Sequence, residues 1–203
     1  MSAVVAQMQR DLTSVGFPSG PADGVVGPMT RTAVARFQLA YAWRPITVDG
    51  LYGPQTLGAL AQVVQTGRLS ANFAVSELRS KGDGSCHVHR DLLTALERLR
   101  AHVGRPLPVV SGWRDVAHNR RVGGAASSQH TFGRAPELDA IASRLDGTPR
   151  TAGRAADIPR NYIRLEDCRA LGLFGGMGHR NGWVTHVDIR PVSPAAPTVW
   201  VYG

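Results

Sequence analysis

The chain repeats itself. The segment Ala22-Asp23-Gly24-Val25-Val26-Gly27-Pro28-Met29-Thr30 is echoed by Val48-Asp49-Gly50-Leu51-Tyr52-Gly53-Pro54-Gln55-Thr56, and the shared pattern is D-G-x-x-G-P-x-T. Asp-Gly supplies a turn with positive φ, and proline suits the first turn of a helix. Apolar residues then recur at helical spacing, Ala33, Val34 and Phe37 after the first copy and Leu57, Leu60 and Val63 after the second. An opening helix over residues 4–15, with Val5, Met8 and Leu12 on one face, completes a three-helix bundle ending near residue 68. A bundle of about 65 residues buries only ~60% of its unfolded surface, so its stability is modest.

The remaining chain differs in kind. A polar stretch, residues 66–72, separates it from the bundle. A helix is expected over residues 86–103, with Leu92, Leu93, Leu96 and Leu99 on one face, then a buried strand entered through prolines at 106–112. A helix at 165–171 and a strand at 183–189 follow, so the expected class is α+β: the small bundle, then an α+β domain over residues 72–203 with a small antiparallel sheet. The tail from Pro191 reads equally as an edge strand or a packed extension.

A chain of 203 residues holds one large or two small domains. With 43% hydrophobic and 19% charged residues it lies outside the disordered regime, and no run of about 18 apolar residues suggests a membrane span. The 23 Lys+Arg against 15 Asp+Glu give +8, which favours polyanionic partners: nucleic acid, anionic membrane or bacterial wall polymers. Lys81 is the single lysine, and no basic stretch is interleaved with aromatics, which disfavours nucleic acid. Residues 1–68 hold five arginines against three aspartates, so most of the excess charge lies in the second part. Cys86 and Cys168 fit either one bridge or two free thiols. Gln7, Gln9, Arg10 and Asp11 interrupt what would be a signal core, so the expectation is a monomeric chain made in the cytoplasm without its own export signal.

Three stretches carry chemistry: Ser128-Gln129-His130, Gly153-Arg154-Ala155-Ala156-Asp157 and Thr185-His186-Val187-Asp188. Two imidazoles and a carboxylate suit Zn²⁺, whose catalytic sites pair three protein ligands with an open position. On a strand, His186 and Asp188 share a face.

The N-terminal residues resemble the peptidoglycan-binding domain type 1 family, through Gln9 to Leu12, the D-G-x-x-G turns and Phe37-Gln38. That resemblance implies wall binding without catalysis. In the second part the ordered series Val110-Ser111-Gly112-Trp113-Arg114, His118-Asn119, Val122-Gly123-Gly124-Ala125, Ser128-Gln129-His130, Gly-Arg-Ala-Ala-Asp157 and His186-Val187-Asp188 is similar to the zinc-dependent M15 peptidases. These include D-alanyl-D-alanine carboxypeptidases and phage L-alanyl-D-glutamate endopeptidases. The resemblance implies that His130, Asp157 and His186 ligate zinc, that Arg114 binds substrate and stabilises the oxyanion, and that Ser128 lies near substrate.

Two positions depart from the family pattern. The expected H-x-x-G-x-A-x-D run reaches Glu137 instead of aspartate, and G-R-A-A-D recurs later. An insertion over residues 134–153 keeps Asp157 as the ligand; the alternatives are Glu137 and then Asp139. The acid that several members carry three residues before the last ligand is Trp183 here, which cannot accept a proton. Asp188 stands in either as general base or as a group orienting a ligand, with His179 a weaker candidate. His87 and His89 beside Cys86 read as structural. The function implied is peptidoglycan hydrolysis by zinc-activated water, in an enzyme resembling a phage endolysin, with a bacterial wall enzyme exported by another route as the nearest rival reading. A wall-binding protein with a decayed peptidase domain is the alternative.

Overall fold

In the computed structural model, which describes residues 1–147, 150–191 and 197–202, the two copies of the repeated motif adopt the same local structure. Helix α1 (Ala3–Ser14) carries Gln9, whose amide oxygen accepts from Gly24 N (2.9 Å) while its NH₂ donates to Asp23 Oδ1 (2.9 Å), Val25 O (3.1 Å) and Thr30 Oγ1 (3.1 Å). Helix α2 (Pro28–Ala40) carries Gln38, which repeats the set with Gly50 N (2.9 Å), Asp49 Oδ1 (2.8 Å), Leu51 O (2.9 Å) and Thr56 Oγ1 (3.0 Å). Gly24 and Gly50 sit at φ +74° and +71°, as the Asp-Gly turns require. Pro28 and Pro54 open α2 and α3 (Pro54–Thr66) in their first turns. Both glutamines are buried, so each motif is locked by one buried amide that satisfies its loop.

Residues 66–72 form a packed turn. Leu69 and Phe73 are buried, and Ser70 Oγ donates to Glu97 Oε1 at 2.7 Å. After α4 (Val75–Leu78), helix α5 spans Arg90–Val103, starting later than residue 86. Residues 86–89 are instead extended because Val88 bridges Gly153, with His89 N donating to Gly153 O (2.9 Å) and Gly153 N to His87 O (2.8 Å). The strand expected at 106–112 is irregular: Pro106 and Pro108 lack N–H donors, and pairing is confined to a bridge between Ser111 and Asp157.

Helices α6 (Val116–Arg121) and α7 (Gln129–Phe132) lead into a two-stranded excursion. Strand β1 (Gly133–Arg134) pairs antiparallel with β2 (Thr151–Ala152), and between them lie α8 (Pro136–Asp139) and a 3-10 turn (Ala142–Arg144). Ala135 and Leu138 pack with Ala152 against Ala35 and Leu39 of α2. The excursion therefore fastens the bundle to the second part, and Arg36 Nη1 donates to Thr151 O across that contact (3.1 Å).

The sheet is built from β3 (Ala155–Asp157), β4 (Ile163–Arg164), β5 (Gly176–Arg180), β6 (Trp183–Asp188) and β7 (Thr198–Val201), with α9 (Leu165–Leu171) between β4 and β5. Its order is β3-β6-β5-β7, with β4 also on β6. Asn181 (φ 51°) and Gly182 (φ 78°) make the two-residue turn between β5 and β6, a combination that matches the right-handed strand twist. Strand β7 runs parallel to β5, so the sheet is mixed where an antiparallel one was expected, and the tail is an edge strand. Residues 192–196 of that tail lie outside the described residues.

One continuous apolar core runs from Leu12 and Phe37 through Leu92 and Leu96 to Val187. Cys86 and Cys168 are free and buried, and burial pushes both thiols up to about 12. Among the described residues no helix is long and apolar enough to cross a membrane.

Candidate metal centre

Closure of β1 on β2 returns the chain so that Asp157, far from His130 in sequence, stands beside it. The edge of β3 is held against β6 with Asp157 in register with His186. The result is a cluster in which one ligating atom from each of His130, Asp157 and His186 lies within 4.8 Å of the others. His130 Nε2 and His186 Nδ1 approach Asp157 Oδ1 to 3.1 and 3.0 Å, and the two nitrogens lie 3.2 Å apart. His130 and His186 are buried, whereas the Asp157 side chain is one-quarter exposed.

The outward atoms of both rings are committed to protein partners. His130 Nδ1 donates to Gly112 O at 2.6 Å, and His186 Nε2 donates to Asp188 Oδ2 at 3.2 Å. When both rings are neutral, those bonds fix the tautomers and leave Nε2 of His130 and Nδ1 of His186 as lone pairs facing the carboxylate. Three acceptors converging without a proton between them repel one another, and a small cation relieves that repulsion. The N, N, O donor set therefore fits zinc.

The electrostatics follow the geometry. Burial holds the His130 imidazole below its ordinary range, against the pull of Asp157. Burial acts the same way on His186, but the carboxylates of Asp157 and Asp188 on its two nitrogens outweigh it and push the group up. Burial would raise Asp157, yet the two imidazoles facing it, which donate to it once a proton sits on the facing nitrogen, hold it far below the usual carboxylate range. Asp188 is held at about 2 against burial by His186 and Arg190. It is fully buried, and Arg190 clamps both of its oxygens, Nε to Oδ1 at 2.7 Å and Nη2 to Oδ2 at 2.5 Å.

The other residues singled out in the sequence fall into place around this centre. Arg114 Nη2 donates to Asp157 Oδ2 and its Nε donates to Ser111 Oγ at 2.9 Å. Ser128 caps α7, its Oγ accepting from His130 N at 3.3 Å. Gly112 is packed so closely that a Cβ there would lie 2.8 Å from Leu78 O and 2.9 Å from Leu78 Cα. Asn119 Nδ2 donates to Ala125 O (3.0 Å), bracing the glycine-containing turn.

Glu137 is absent from the cluster. It faces His89, Oε2 to Nε2 at 3.3 Å, and Asp139 is likewise outside it. His87 packs between Phe17 and Trp113, with ring centroids 6.4 and 5.0 Å away. His179 Nδ1 accepts from Gly182 N (3.3 Å) in the β5–β6 turn. Trp183 stacks under Arg164 at 3.6 Å and takes no place in the cluster.

Two neighbours escaped sequence reasoning. Arg190 lies two residues beyond Asp188, so continuing the strand alternation one step reaches it. Trp200 packs against His186 with centroids 5.3 Å apart and against Arg190 at 5.4 Å. It follows a break in the regular pattern and carried no local signal. A cleft of about 530 Å³ opens at Asp157 and is lined further by Val110, Ile158, Arg160, Arg180, Thr185 and Tyr202.

A buried pair of imidazoles with a partly exposed carboxylate, set in a small sheet of an α+β domain, could hold one metal ion and faces a cleft. Comparison with known families assigns the class: the Peptidase M15 family model matches residues 70–188, more than half of the chain, and the chain belongs to that family. A peptidoglycan binding domain model matches residues 2–60. Among curated proteins, the chain is similar to the zinc D-Ala-D-Ala carboxypeptidase of Streptomyces albus G, 35% identical over 150 residues, which is 66% of this chain and 58% of that relative. The chain thus spans little more than half of that relative's length.

Proposed function

We propose that the protein is a zinc metallopeptidase that cleaves a peptide bond in the stem or crosslink peptide of bacterial peptidoglycan. The observation that carries this reading is the convergence of His130 Nε2, His186 Nδ1 and Asp157 Oδ1, with both rings locked from behind. The family match and the carboxypeptidase relative support it, and the match of residues 2–60 supports peptidoglycan as the polymer bound.

His130, Asp157 and His186 would hold the ion. When bound, zinc supplies Lewis acidity and lowers the pKa of coordinated water from 15.7 to about 7. The Gly112 carbonyl and the Asp188 carboxylate orient the two imidazoles, which keeps their lone pairs aimed inward without reorganisation. Arg114, positioned by Ser111 and Asp157, carries a fixed charge for a substrate carbonyl oxygen as negative charge develops on it. Ser128 supports this arrangement by capping the helix that bears His130. Of the two roles considered for Asp188, its burial and its clamp by Arg190 support that of a positioning residue over that of a base.

The finer reading is an endolysin-like enzyme acting at the bacterial wall, with residues 1–68 as the wall-binding unit and residues 72–203 as the peptidase. Incubation of purified walls with the zinc-loaded protein tests it. New free amino groups or free D-alanine, abolished by chelator and restored by zinc, are expected; wall binding with no new amino group at any zinc concentration would mark a decayed enzyme instead.

A further inference from the structure

Several arginines around the metal centre and the sheet are engaged. Arg114 is bonded to Asp157, Arg190 to Asp188, Arg164 is stacked on Trp183, and Arg105 is stacked on Tyr162 at 4.4 Å. Arg160 and Arg180 differ. Both are exposed, both line the cleft that opens at Asp157, and among the described residues neither guanidinium has a hydrogen bond, ion pair or ring contact. They also line an adjoining hollow of about 300 Å³ with Thr185, Asn161 and Asn181.

The backbone presents these two arginines in matching ways. Each is followed by an asparagine in the left-handed region, Asn161 at φ 57° and Asn181 at φ 51°, and these are the only non-glycine residues with positive φ among those described. Asparagine enters that region more readily than other non-glycine residues, and here it shapes a tight turn directly after each arginine. The first turn follows Asp157 by way of Ile158 and Pro159 and is stitched to β6 by Ile158 N donating to Thr185 O at 3.0 Å. The second closes β5 on β6, where Arg180 is in register with Trp183. Two turns from opposite sides of β6 thus bring two uncompensated planar cations to one cleft wall. Asp157 is the only acidic residue among those lining that cleft, and it is occupied by the metal centre.

We propose that Arg160 and Arg180 form a carboxylate-binding subsite that selects stem peptides by a free carboxylate near the bond to be cleaved. Guanidinium groups match carboxylates in a planar, two-bond geometry, and peptidoglycan peptides carry carboxylates on their side chains and at their ends. Tyr202 closes the cleft beside them and supplies a hydroxyl and an apolar ring. This inference rests on the peptidase reading above. It assigns to Arg160 and Arg180 the ground-state selection of substrate, separately from Arg114, which is held against Asp157.

The experiment uses soluble wall peptides, released by digestion of the glycan strands, in two forms: untreated, and with their carboxylates converted to amides by carbodiimide and ammonia. The full zinc-loaded chain is compared with Arg160→Gln, Arg180→Gln and the double variant, all checked for zinc content and circular dichroism. On untreated peptides each single variant is expected to raise KM about tenfold, the size of one lost charge-assisted contact, with kcat within about twofold. On amidated peptides the parent protein already has the high KM, and the variants add nothing. Unchanged KM, or an equal loss on both substrates, would overturn the subsite. So would a loss confined to sedimentation with intact walls, which would assign the arginines to general wall adhesion. A parent protein inactive on both forms would instead overturn the peptidase reading and this inference with it.

Discussion

Asp188 shows how a residue's role is decided by its surroundings. Its alternation with His186 was readable from sequence, but alternation alone left two roles open, because a carboxylate beside a ligand either takes a proton or holds a ring. Full burial and the two bonds from Arg190 favour the second, as proposed above. Asp188→Asn is therefore expected to weaken zinc binding by about 10- to 100-fold, with turnover recovering as zinc is raised. Undiminished zinc affinity with abolished turnover, read by metal titration alongside rate, would restore the base role. Asp157→Ala is expected to remove zinc binding outright, and Glu137→Ala to leave it intact, because Glu137 faces His89. Gly112 is equally specific: alanine there would press on the Leu78 backbone, which cannot yield as a flexible side chain does. A loss of about 2 kcal/mol or more is expected from the shift in urea midpoint.

The duplicated turn-helix units are legible in the sequence because each part of the pattern has a local cause. Glycine permits the positive φ, proline the helix start, and apolar spacing the buried face. The glutamine that satisfies each loop was visible only as a letter in a family motif, since its partners lie 14 to 21 residues away at Gln9 and 11 to 18 away at Gln38. Because the two sets of bonds match, Gln9→Leu and Gln38→Leu are expected to cost similar amounts, about 2 kcal/mol each, from stranded loop N–H groups. Chemical denaturation of both variants checks this; a large cost at one site and none at the other would contradict the equivalence. The strand expected at 106–112 and the start of α5 at 86 failed for a shared reason. Periodicity registers apolar faces, whereas the pairing of Val88 with Gly153 and of Ser111 with Asp157 is set by distant backbone partners. The insertion expected between His130 and Asp157 came from a departure from the family pattern, whereas the pairing of β1 with β2 and the packing of that segment on α2 are visible only in the fold.

Asp115 adds a pH dependence at the scale of an element. It caps α6 through His118 N (2.9 Å) and accepts from Ser80 Oγ (2.6 Å). Burial would raise it, but the bond from Ser80 and the backbone N–H groups hold it below its ordinary 3.8. A depressed carboxylate stabilises the fold above its unfolded pKa and loses that contribution as pH falls through the folded value. Stability of the parent protein is thus expected to fall more steeply below about pH 4 than that of Asp115→Asn.

At the scale of the whole molecule, the bundle and the remainder share one core and are tied by the excursion on α2. Arg36 sits at that contact, and burial lowers it to about 10 against the pull of Asp146. A single thermal transition is expected for the chain, with Arg36→Ala costing about 1 to 2 kcal/mol because it removes the donor to the half-buried Thr151 carbonyl. Both cysteines should resist alkylation at pH 8 until that same transition, since burial raises each thiol to about 12. The +8 charge was visible from composition, but its placement acquires meaning only in the fold, where two free arginines stand at the cleft. The proposed function requires that the centre of His130, Asp157 and His186 cleave wall peptide. Mass spectrometry of wall peptides after incubation with the zinc-loaded protein tests that directly. Fragments split at one peptide bond, absent with chelator and with Asp157→Ala, are predicted; an unchanged peptide spectrum from protein carrying one equivalent of zinc would contradict it.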